Sequence, residues 1–314
     1  MVGIRRLYDG GKNMATVQIR EARETDAVAM TRLIAEANPN MVVTPASWIH
    51  RCRTDPARAR ALRLVAEVEG EVVGRAQAGL NAHTTAARAA YGGVIVDSAH
   101  RRRGIGGALL ERLERHLGEL GAATWTTMFF ENHEGVVFAR RHGFRAERSA
   151  VATAVDPRTV ELPLPAGIEV VPVRDVGPEA VFEIDCAGAL DEPLPNPPAP
   201  MPFAEWRAEF WDDPSFTRDG SFVATADGTP AAIALLYVAP ELGRAVNAFT
   251  ATMPQFRGRG FALAAKIATM RWAAANGIAR VSTANDDTNA PMIAINARLG
   301  YEPLGRLLTM RRDL

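Results

Sequence analysis

Two stretches of the chain change in the same way from an apolar run to an amphipathic one across a short glycine-bearing loop. In the first, the apolar run 94–96 precedes the loop, and leucines recur at helical spacing from Ala108 to Leu120. In the second, an extended run from Ala248 to Met253 precedes the loop, and a helical run from Leu263 to Ala275 follows it. Each stretch therefore predicts a strand, a tight loop and a helix.

The two loops are rich in arginine and glycine. They comprise Arg101, Arg102, Arg103, Gly104, Ile105, Gly106 and Gly107 in the first stretch, and Arg257, Gly258, Arg259, Gly260, Phe261 and Ala262 in the second. Glycine lets a bulky anion approach the backbone, and the first turn of a helix presents unpaired N–H groups at its positive end. This combination favours phosphate binding; an ordinary solvated helix start is the alternative interpretation.

The landmarks of the two stretches recur at a nearly constant period. Arg257 follows Arg101 by 156 residues, and Asn289 follows Asn132 by 157 residues. The glycine–aromatic pair that closes each copy also recurs after 157 residues. A period of about half the chain predicts the duplication of a whole domain.

Length and composition agree with two domains. The 314 residues suit two domains of ordinary size, and 47% hydrophobic with 23% charged residues is typical of a soluble globular protein. Prolines and a glycine mark a boundary between the copies. The predicted organisation is an N-terminal extension at 1–13, a domain at 14–155, a linker at 156–167 and a second domain at 168–314.

Charge and cysteine usage exclude several classes of function. The formal net charge is zero, which predicts no strong attraction to nucleic acid. The two cysteines have no C-x-x-C or histidine cluster beside them, so neither a metal site nor a disulfide framework is expected. No apolar run reaches the ~18 residues of a membrane span, and no signal-peptide pattern opens the chain. We expect a cytoplasmic protein, and the patterns do not indicate an oligomeric state.

The order of the motifs resembles the GNAT acetyltransferase family, in its tandem form similar to mycothiol synthase-like proteins. The residues that carry the resemblance follow R-x-x-G-x-G/A and then N-x(10)-G-F/Y: Arg101, Gly104, Gly106, Asn132, Gly143 and Phe144 in the first copy, and Arg257, Gly260, Ala262, Asn289, Gly300 and Tyr301 in the second. The resemblance implies an α/β fold of the α+β mixed-sheet kind. Each of two tandem domains would be a mainly antiparallel, splayed sheet flanked by helices.

The resemblance also implies acetyl-CoA as the acyl donor and a small-molecule primary amine as the acceptor, which attacks directly in a ternary complex. The strand before each loop would diverge from its neighbour, so that pantetheine lies along its edge. The implied edge residues are Val94, Ile95, Val96, Thr250, Ala251 and Thr252. Asn132 and Asn289 would contact the coenzyme, cap a helix, or do both.

The catalytic groups are less well marked. Many relatives place a tyrosine seven residues after the motif asparagine, where it protonates the leaving thiolate. Ala139 and Asn296 occupy those positions here, so a different acid or water is needed. The remaining candidates are the tyrosines Tyr91 and Tyr237 as acids, and the carboxylates Glu131, Asp286 and Asp287 as bases. Each carboxylate taken singly can equally be a solvated cap of a helix.

We expect the C-terminal half to be the catalytic one. It carries a proline-rich segment at 191–202, which borders the acceptor groove by resemblance, and Met253-Pro254 resembles the strand-end proline of the family. A coenzyme A-binding sensor or scaffold is the rival hypothesis, which the missing tyrosines support. A transferase that modifies aminoacyl groups or peptides is a third.

Overall fold

The protein divides into two compact units. The structure, a computed structural model, describes residues 3–6, 16–191 and 196–314. Unit 1 comprises Met1–Pro39, Arg51–Arg148 and Leu308–Leu314, and unit 2 comprises Asn40–His50 and Ser149–Leu307. Each unit therefore includes a segment that is distant in sequence from its other residues: 308–314 in unit 1 and 40–50 in unit 2.

The two predicted strand–loop–helix stretches are present, within a chain of thirteen strands and eight α-helices among the described residues. The strands are β1 (Gly3–Arg6), β2 (Thr16–Glu21), β3 (Leu62–Val68), β4 (Glu71–Leu80), β5 (Ala89–Val96), β6 (Thr124–Phe130), β7 (Arg145–Val155), β8 (Glu169–Pro172), β9 (Phe222–Ala226), β10 (Thr229–Ala239), β11 (Arg244–Thr252), β12 (Arg280–Asp286) and β13 (Glu302–Asp313). The helices are α1 (Ala27–Ala37), α2 (Pro45–Thr54), α3 (Ile105–Glu119), α4 (His133–Arg141), α5 (Val173–Ala189, interrupted at Gly177), α6 (Phe203–Trp206), α7 (Phe261–Ala275) and α8 (Ala290–Arg298). A π-helical turn at Arg207–Trp211 continues α6.

The sheet of unit 1 has the strand order β1-β2-β3-β4-β5-β6-β13. Neighbours from β1 to β5 are antiparallel, and β5 with β6 is parallel. The leucine stripe of α3 explains how this helix packs: Leu109, Leu113 and Leu117 are fully buried in the same apolar core as Leu64 and Trp125. Burying one stripe of an amphipathic helix against a sheet is the expected driving force for this layer.

The sheet of unit 2 has the order β7-β12-β11-β10-β9-β8, again antiparallel except for β11 with β12. The helix α7 packs through Leu263, Ile267 and Met270 on an apolar core that includes Leu236. A second core cluster joins the α5 and α6 region to the sheet through residues such as Ile233. The predicted fold, tandem mixed α/β domains with mainly antiparallel sheets flanked by helices, is confirmed.

The boundaries of the units differ from those predicted for the domains. Residues 40–50 and 149–155 belong to unit 2 rather than to the predicted domain 14–155, and residues 308–314 belong to unit 1. The last segment is held there because the Arg312 guanidinium lies over the rings of Trp125 and Phe144. Such contacts between segments distant in sequence leave no local signal.

The predicted linker and the described part of the predicted N-terminal extension also contribute to the units. Leu162 and Leu164, in the predicted linker 156–167, pack against the core of unit 2. Part of the predicted extension 1–13 forms β1, in which Ile4 pairs with Gln18 of β2; its other residues lie outside the described ranges. Residues 192–195 of the proline-rich segment also lie outside them.

Among the described residues, no helix has both the length and the apolar character that crossing a membrane requires.

Candidate functional site

Each unit contains a pair of parallel strands that diverge after a short paired stretch. In unit 1 the pairing of β5 with β6 ends at Tyr91 and Thr126, although both strands continue. In unit 2 the pairing of β11 with β12 ends at Val246 and Ser282, and both strands again continue. Beyond these pairs the facing backbone edges border a gap, which an extended ligand can enter as an added strand. We call these gaps cleft 1 and cleft 2.

The residues predicted to offer a backbone edge lie on the diverging parts of β5 and β11. Their other edges pair with β4 and β10 respectively, so the main chain of these residues is fixed on that side. These residues are Val94, Ile95, Val96, Thr250, Ala251 and Thr252. The divergence of the strands is thus present where the sequence indicated it.

A left-handed glycine opens the helix that follows each of these strands. Gly104 has φ 83° and ψ −5°, and Gly260 has φ 91° and ψ 0°. The first intrahelical bonds run from Ala108 N–H to Gly104 O at 3.1 Å and from Ala264 N–H to Gly260 O at 3.0 Å. The three amides before each donor therefore have no acceptor within their own helix.

The space around these amides suits a bulky anion. A Cβ built on Gly107 or on Gly258 would meet no atom within 4 Å. Arg102, Arg103 and Arg259 are exposed around the turns. Unpaired N–H groups, the positive helix end and free space together fit the diphosphate of a coenzyme such as coenzyme A.

The first arginine of each loop ties the turn to the strand before it. Arg101 Nε donates to Val96 O at 3.1 Å, and Arg257 Nε donates to Thr252 O at 3.3 Å. The outer nitrogens pair with carboxylates, Arg101 with Glu134 at 2.9 Å and Arg257 with Asp191. These arginines therefore hold the loop in place, and the exposed Arg102, Arg103 and Arg259 are better placed to offer positive charge to a ligand.

The strands of cleft 2 part beside a polar network centred on Asn247. Its side-chain nitrogen donates to Leu235 O at 2.9 Å and to Phe249 O at 3.3 Å, and its side-chain oxygen accepts from Thr250 Oγ1 at 3.0 Å. The same oxygen accepts from Lys266 Nζ. The strand β11 is bulged at this point, because Leu235 pairs with Phe249 whereas Leu236 pairs with Asn247.

Lys266 is a lysine in an apolar core. It lies on α7 with 1% of its surface exposed, and its Nζ is 5.2 Å from the centroid of the Tyr301 ring. Burial lowers the pKa of the Lys266 ammonium to about 7 and raises the pKa of the Tyr301 hydroxyl above its usual range. The lysine is thus poised between its two charge states near neutral pH.

Unit 1 has an apolar side chain at the position that matches Lys266, although Thr127 of β6 places a hydroxyl beside Gly93 of β5. Leu110, which precedes Lys266 by 156 residues, is buried with Trp125 and Phe144 in one core cluster. The indole of Trp125 donates to Gly92 O at 3.2 Å. No buried lysine occurs there among the described residues of unit 1.

Both motif asparagines cap helices. Asn132 Oδ1 accepts from Gly135 N–H at 2.7 Å, and Asn289 Oδ1 accepts from Met292 N–H at 3.3 Å. Capping accounts for an asparagine at these positions without a ligand. A contact with coenzyme remains a prediction for both.

The candidate bases lie at the ends of the strands and are engaged locally. Asp286 Oδ1 accepts from the backbone N–H and hydroxyl of Thr288 at 3.0 and 2.6 Å. Asp287 pairs with Arg306 and accepts from Ser149 Oγ at 2.6 Å. Glu131 is an exposed residue directly after β6.

The candidate acids differ in position. Tyr91 is half-buried on β5, in the last pair before cleft 1 opens. Tyr237 is buried on β10 opposite Val246, and its hydroxyl donates to Phe210 O at 3.4 Å. Asn296, at the position where relatives have tyrosine, is buried and donates to Asn285 Oδ1 at 2.6 Å. Its own side-chain oxygen has no partner among the described residues.

The interaction of Lys266 with Asn247 was not predicted from the sequence. A signal was nevertheless present, because Lys266 falls within a helical run of apolar residues where the other copy has Leu110. A charged residue on the buried face of a helix is unusual enough to mark a site for inspection. The π-helical turn at Arg207–Trp211 was also missed, since its composition carries no distinctive pattern.

Comparison with known sequences agrees with this geometry. The profile of the acetyltransferase (GNAT) family matches residues 27–144 and 188–301, one match in each half of the chain. Mycothiol acetyltransferase of Saccharomonospora viridis is 28% identical over 221 residues, which cover 67% of this chain and 70% of that protein.

Two solved structures share the tandem architecture. One is a tandem GNAT protein from the clavulanic acid biosynthesis pathway, with a TM-score of 0.73 and 21% identity over 95% of this chain and 98% of that one. The other is a GCN5-related N-acetyltransferase from Sphaerobacter thermophilus, with a TM-score of 0.68 and 18% identity over 95% of each chain. At these identities the likeness concerns the fold alone.

Proposed function

Because this chain belongs to the acetyltransferase (GNAT) family, we propose that it transfers acetyl from acetyl-CoA to the primary amine of a small molecule. The proposal depends above all on one observation: in each unit two parallel strands diverge, and the first leads into a turn with a left-handed glycine at a helix start. The turn suits a diphosphate, and the open strand edge suits an extended pantetheine arm.

The chain's own residues contribute positioning more than acid–base chemistry. Acetyl-CoA supplies the thioester whose carbonyl the amine attacks. The amides after Gly104 and Gly260 would hold the diphosphate, and the free edges of β5 and β11 would align the arm. The amine must arrive uncharged, and Glu131, Asp286 and Asp287 are the proposed proton acceptors, directly or through water.

We propose unit 2 as the catalytic unit. The polar groups around Asn247 support this choice, because unit 2 has a buried amide bound to a lysine near the start of the open edge, where unit 1 has Leu110 at the position that matches the lysine. Tyr237 is the candidate acid of this unit. Unit 1 would bind coenzyme, stabilise the chain, or do both.

A coenzyme A-binding sensor is the second candidate function, and a specific observation favours it. Ala139 and Asn296 replace the tyrosine of many relatives, and the carboxylates of Asp286 and Asp287 are already engaged by their neighbours. A protein that binds coenzyme without transferring acetyl would have this character.

The two functions can be separated with the purified full chain. Acetyl-CoA is titrated by calorimetry, and free thiol is then measured over a panel of small primary amines. Release of thiol that depends on one class of amine is the expected result. Tight coenzyme binding without release on any amine would instead favour the sensor.

A further inference from the structure

The bulge in β11 interrupts its backbone pairing with β10, and the side chain of Asn247 forms hydrogen bonds there instead. Between the pairs Leu235–Phe249 and Leu236–Asn247, Ala248 has no opposite residue. The amide nitrogen of Asn247 donates to Leu235 O and to Phe249 O at 2.9 and 3.3 Å. Asn247 therefore satisfies carbonyl groups that an irregular ladder would otherwise leave unpaired in a buried place.

Two donors fix the orientation of this amide. Thr250 Oγ1 and Lys266 Nζ both donate to Asn247 Oδ1, so the NH₂ end must face the two carbonyls. The backbone oxygen of the same residue accepts from Thr283 Oγ1 at 3.0 Å, across the point where β11 and β12 part. Asn247 thus joins β10, β11, β12 and α7, and it is itself only 2% exposed.

Lys266 lies in a dry site with few partners. The titratable group that faces its Nζ is Tyr301, and burial rather than a neighbouring charge is what shifts the lysine's pKa among the described residues. An ammonium has three N–H donors and an uncharged amine has two, so the charged form leaves more donors to satisfy in an apolar site. The charged form makes the stronger single bond to Asn247, but its desolvation cost favours a rearrangement that moves the ammonium toward water and breaks this contact.

We propose that Lys266 is a positioning residue of cleft 2, which acts through Asn247 to fix the bulge of β11 and with it the open strand edge. This proposal rests on the proposed function only in that the edge is taken to receive coenzyme A. The uncharged lysine holds Asn247 in its observed arrangement, and the charged form loosens it.

The first experiment follows β11 itself and needs no ligand. Hydrogen–deuterium exchange of the full chain is measured at pH 8.5 and pH 6, and protection factors corrected for intrinsic rates are compared for peptides covering 244–252 and 89–96. Protection in β11 is expected to fall about tenfold at the lower pH, while protection in β5, whose unit has Leu110 in place of Lys266, does not change. Equal behaviour of the two strands would overturn the proposal.

Variants identify the lysine as the cause. Lys266→Met keeps the length of the side chain and is expected to lower protection of β11 at pH 8.5 and to abolish its dependence on pH. Asn247→Ala should have the same effect with the lysine still present, and the double variant should be no worse than either single one. Leu110→Met is the matched control and should leave β11 unchanged.

A merely structural lysine gives a different result. In that case Lys266→Met lowers protection by the same factor at both pH values, and the proposal is wrong. If Lys266→Met does not fold, Asn247→Ala and the parent chain still decide between the two outcomes.

The second experiment extends the test to coenzyme. In a Gly104→Val background, which confines binding to unit 2, the affinity for coenzyme A is measured by calorimetry across the same pH range. Because the phosphates of the coenzyme titrate in this range as well, the expected result is a difference: the parent loses about tenfold more affinity than Lys266→Met on going to pH 6. Identical profiles for the two would contradict the proposal.

The two proposals can fail separately. If the Gly104→Val chain binds no coenzyme A although exchange in β11 follows pH as expected, the proposed function of unit 2 fails and the positioning role of Lys266 stands.

Discussion

The two units share the geometry of their glycine turns but differ beneath the strands that lead into them. Gly104 and Gly260 adopt nearly the same left-handed conformation before helices of equal length. Below the strands, unit 1 has Leu110 in an apolar core and unit 2 has Lys266 bound to Asn247. The two turns are thus alike in their backbone, whereas the side chains beneath the strands differ.

This difference suggests a division of labour. Among the described residues of unit 1, the apolar Leu110 stands where unit 2 has Lys266, so we expect no comparable dependence on pH there. In unit 2, Lys266 must give up its proton or remain charged in an apolar site. Its presence therefore makes the strands of cleft 2 sensitive to pH and lowers the stability of the unit. Variants that affect one unit alone test two expectations. The two glycine turns should behave alike, and the residues beneath the strands should behave differently.

The largest effect is expected at the turns. Gly260→Val should abolish coenzyme A binding in unit 2, because a β-branched residue is strained at φ 91° and the turn must shift away from the diphosphate. Gly104→Val is the matched change in unit 1. Calorimetry should show that each variant removes one site and leaves the other intact.

The equivalence of the turns would fail on one outcome. If Gly260→Val left both the stoichiometry and the affinity for coenzyme A unchanged while Gly104→Val removed all binding, only the first turn would be a coenzyme site.

The next effect concerns stability and its dependence on pH. The pKa of Lys266 is about 7 in the folded chain and 10.5 for an unperturbed lysine, so the unfolded chain binds more protons between these pH values. The free energy of unfolding therefore rises with pH through that window, and the full penalty, on the order of 5 kcal/mol, is present below pH 7. Lys266→Met should be more stable than the parent at pH 6 by several kcal/mol, after the loss of about 1 kcal/mol for the bond to Asn247.

Denaturant unfolding at pH 6, 8 and 10 measures this difference. The advantage of Lys266→Met should shrink as the pH rises toward 10, whereas Leu110→Met should differ from the parent by the same small amount throughout. Stability and the ordering of β11 are thus expected to change in opposite directions in the lysine variant. An advantage that does not vary with pH would mean that Lys266 keeps one charge state across the range.

A third comparison concerns the strands. Gly92 of β5 approaches β4 so closely that a Cβ would lie 2.2 Å from Gln77 O. Ala248, 156 residues later, is exposed because β11 is bulged there. Gly92→Ala should destabilise the protein by about 3 kcal/mol, since the backbone of β4 cannot move aside, and Ala248→Gly by less than about 1 kcal/mol. Thermal unfolding of both variants checks this, and a large loss for Ala248→Gly would show that the bulge is not what accommodates the side chain.

The sequence was sufficient for the features that depend on local pattern. The loops and the duplication follow from motifs with fixed spacing, and the divergence of the strands, which begins after Tyr91 and Val246, is what the family resemblance implied. The positions of 40–50 and 308–314 depend on contacts such as that of Arg312 with Trp125, which join distant segments. The network at Asn247 was not predicted either: Lys266 stands out in an apolar helical run, but no local pattern marks the bulge that brings Asn247 to it.

The smallest predicted effect is at the second position of each loop. Arg102 has φ 64° and Gly258, its counterpart, has φ 73°. A side chain in this left-handed region costs roughly 1 kcal/mol, so Arg102→Gly should stabilise the protein by somewhat less than that, the difference reflecting the greater freedom of glycine in the unfolded chain. It should also weaken coenzyme A binding in unit 1 a few-fold, and less so at high salt, because an exposed positive charge is lost. Denaturant unfolding and calorimetry at two salt concentrations separate the two effects.

Gly258→Arg is the reverse exchange in unit 2. If the free energy of unfolding and the affinity for coenzyme A change with opposite signs in the two variants, the turns are interchangeable. Changes of the same sign would restrict the likeness of the units to their backbone.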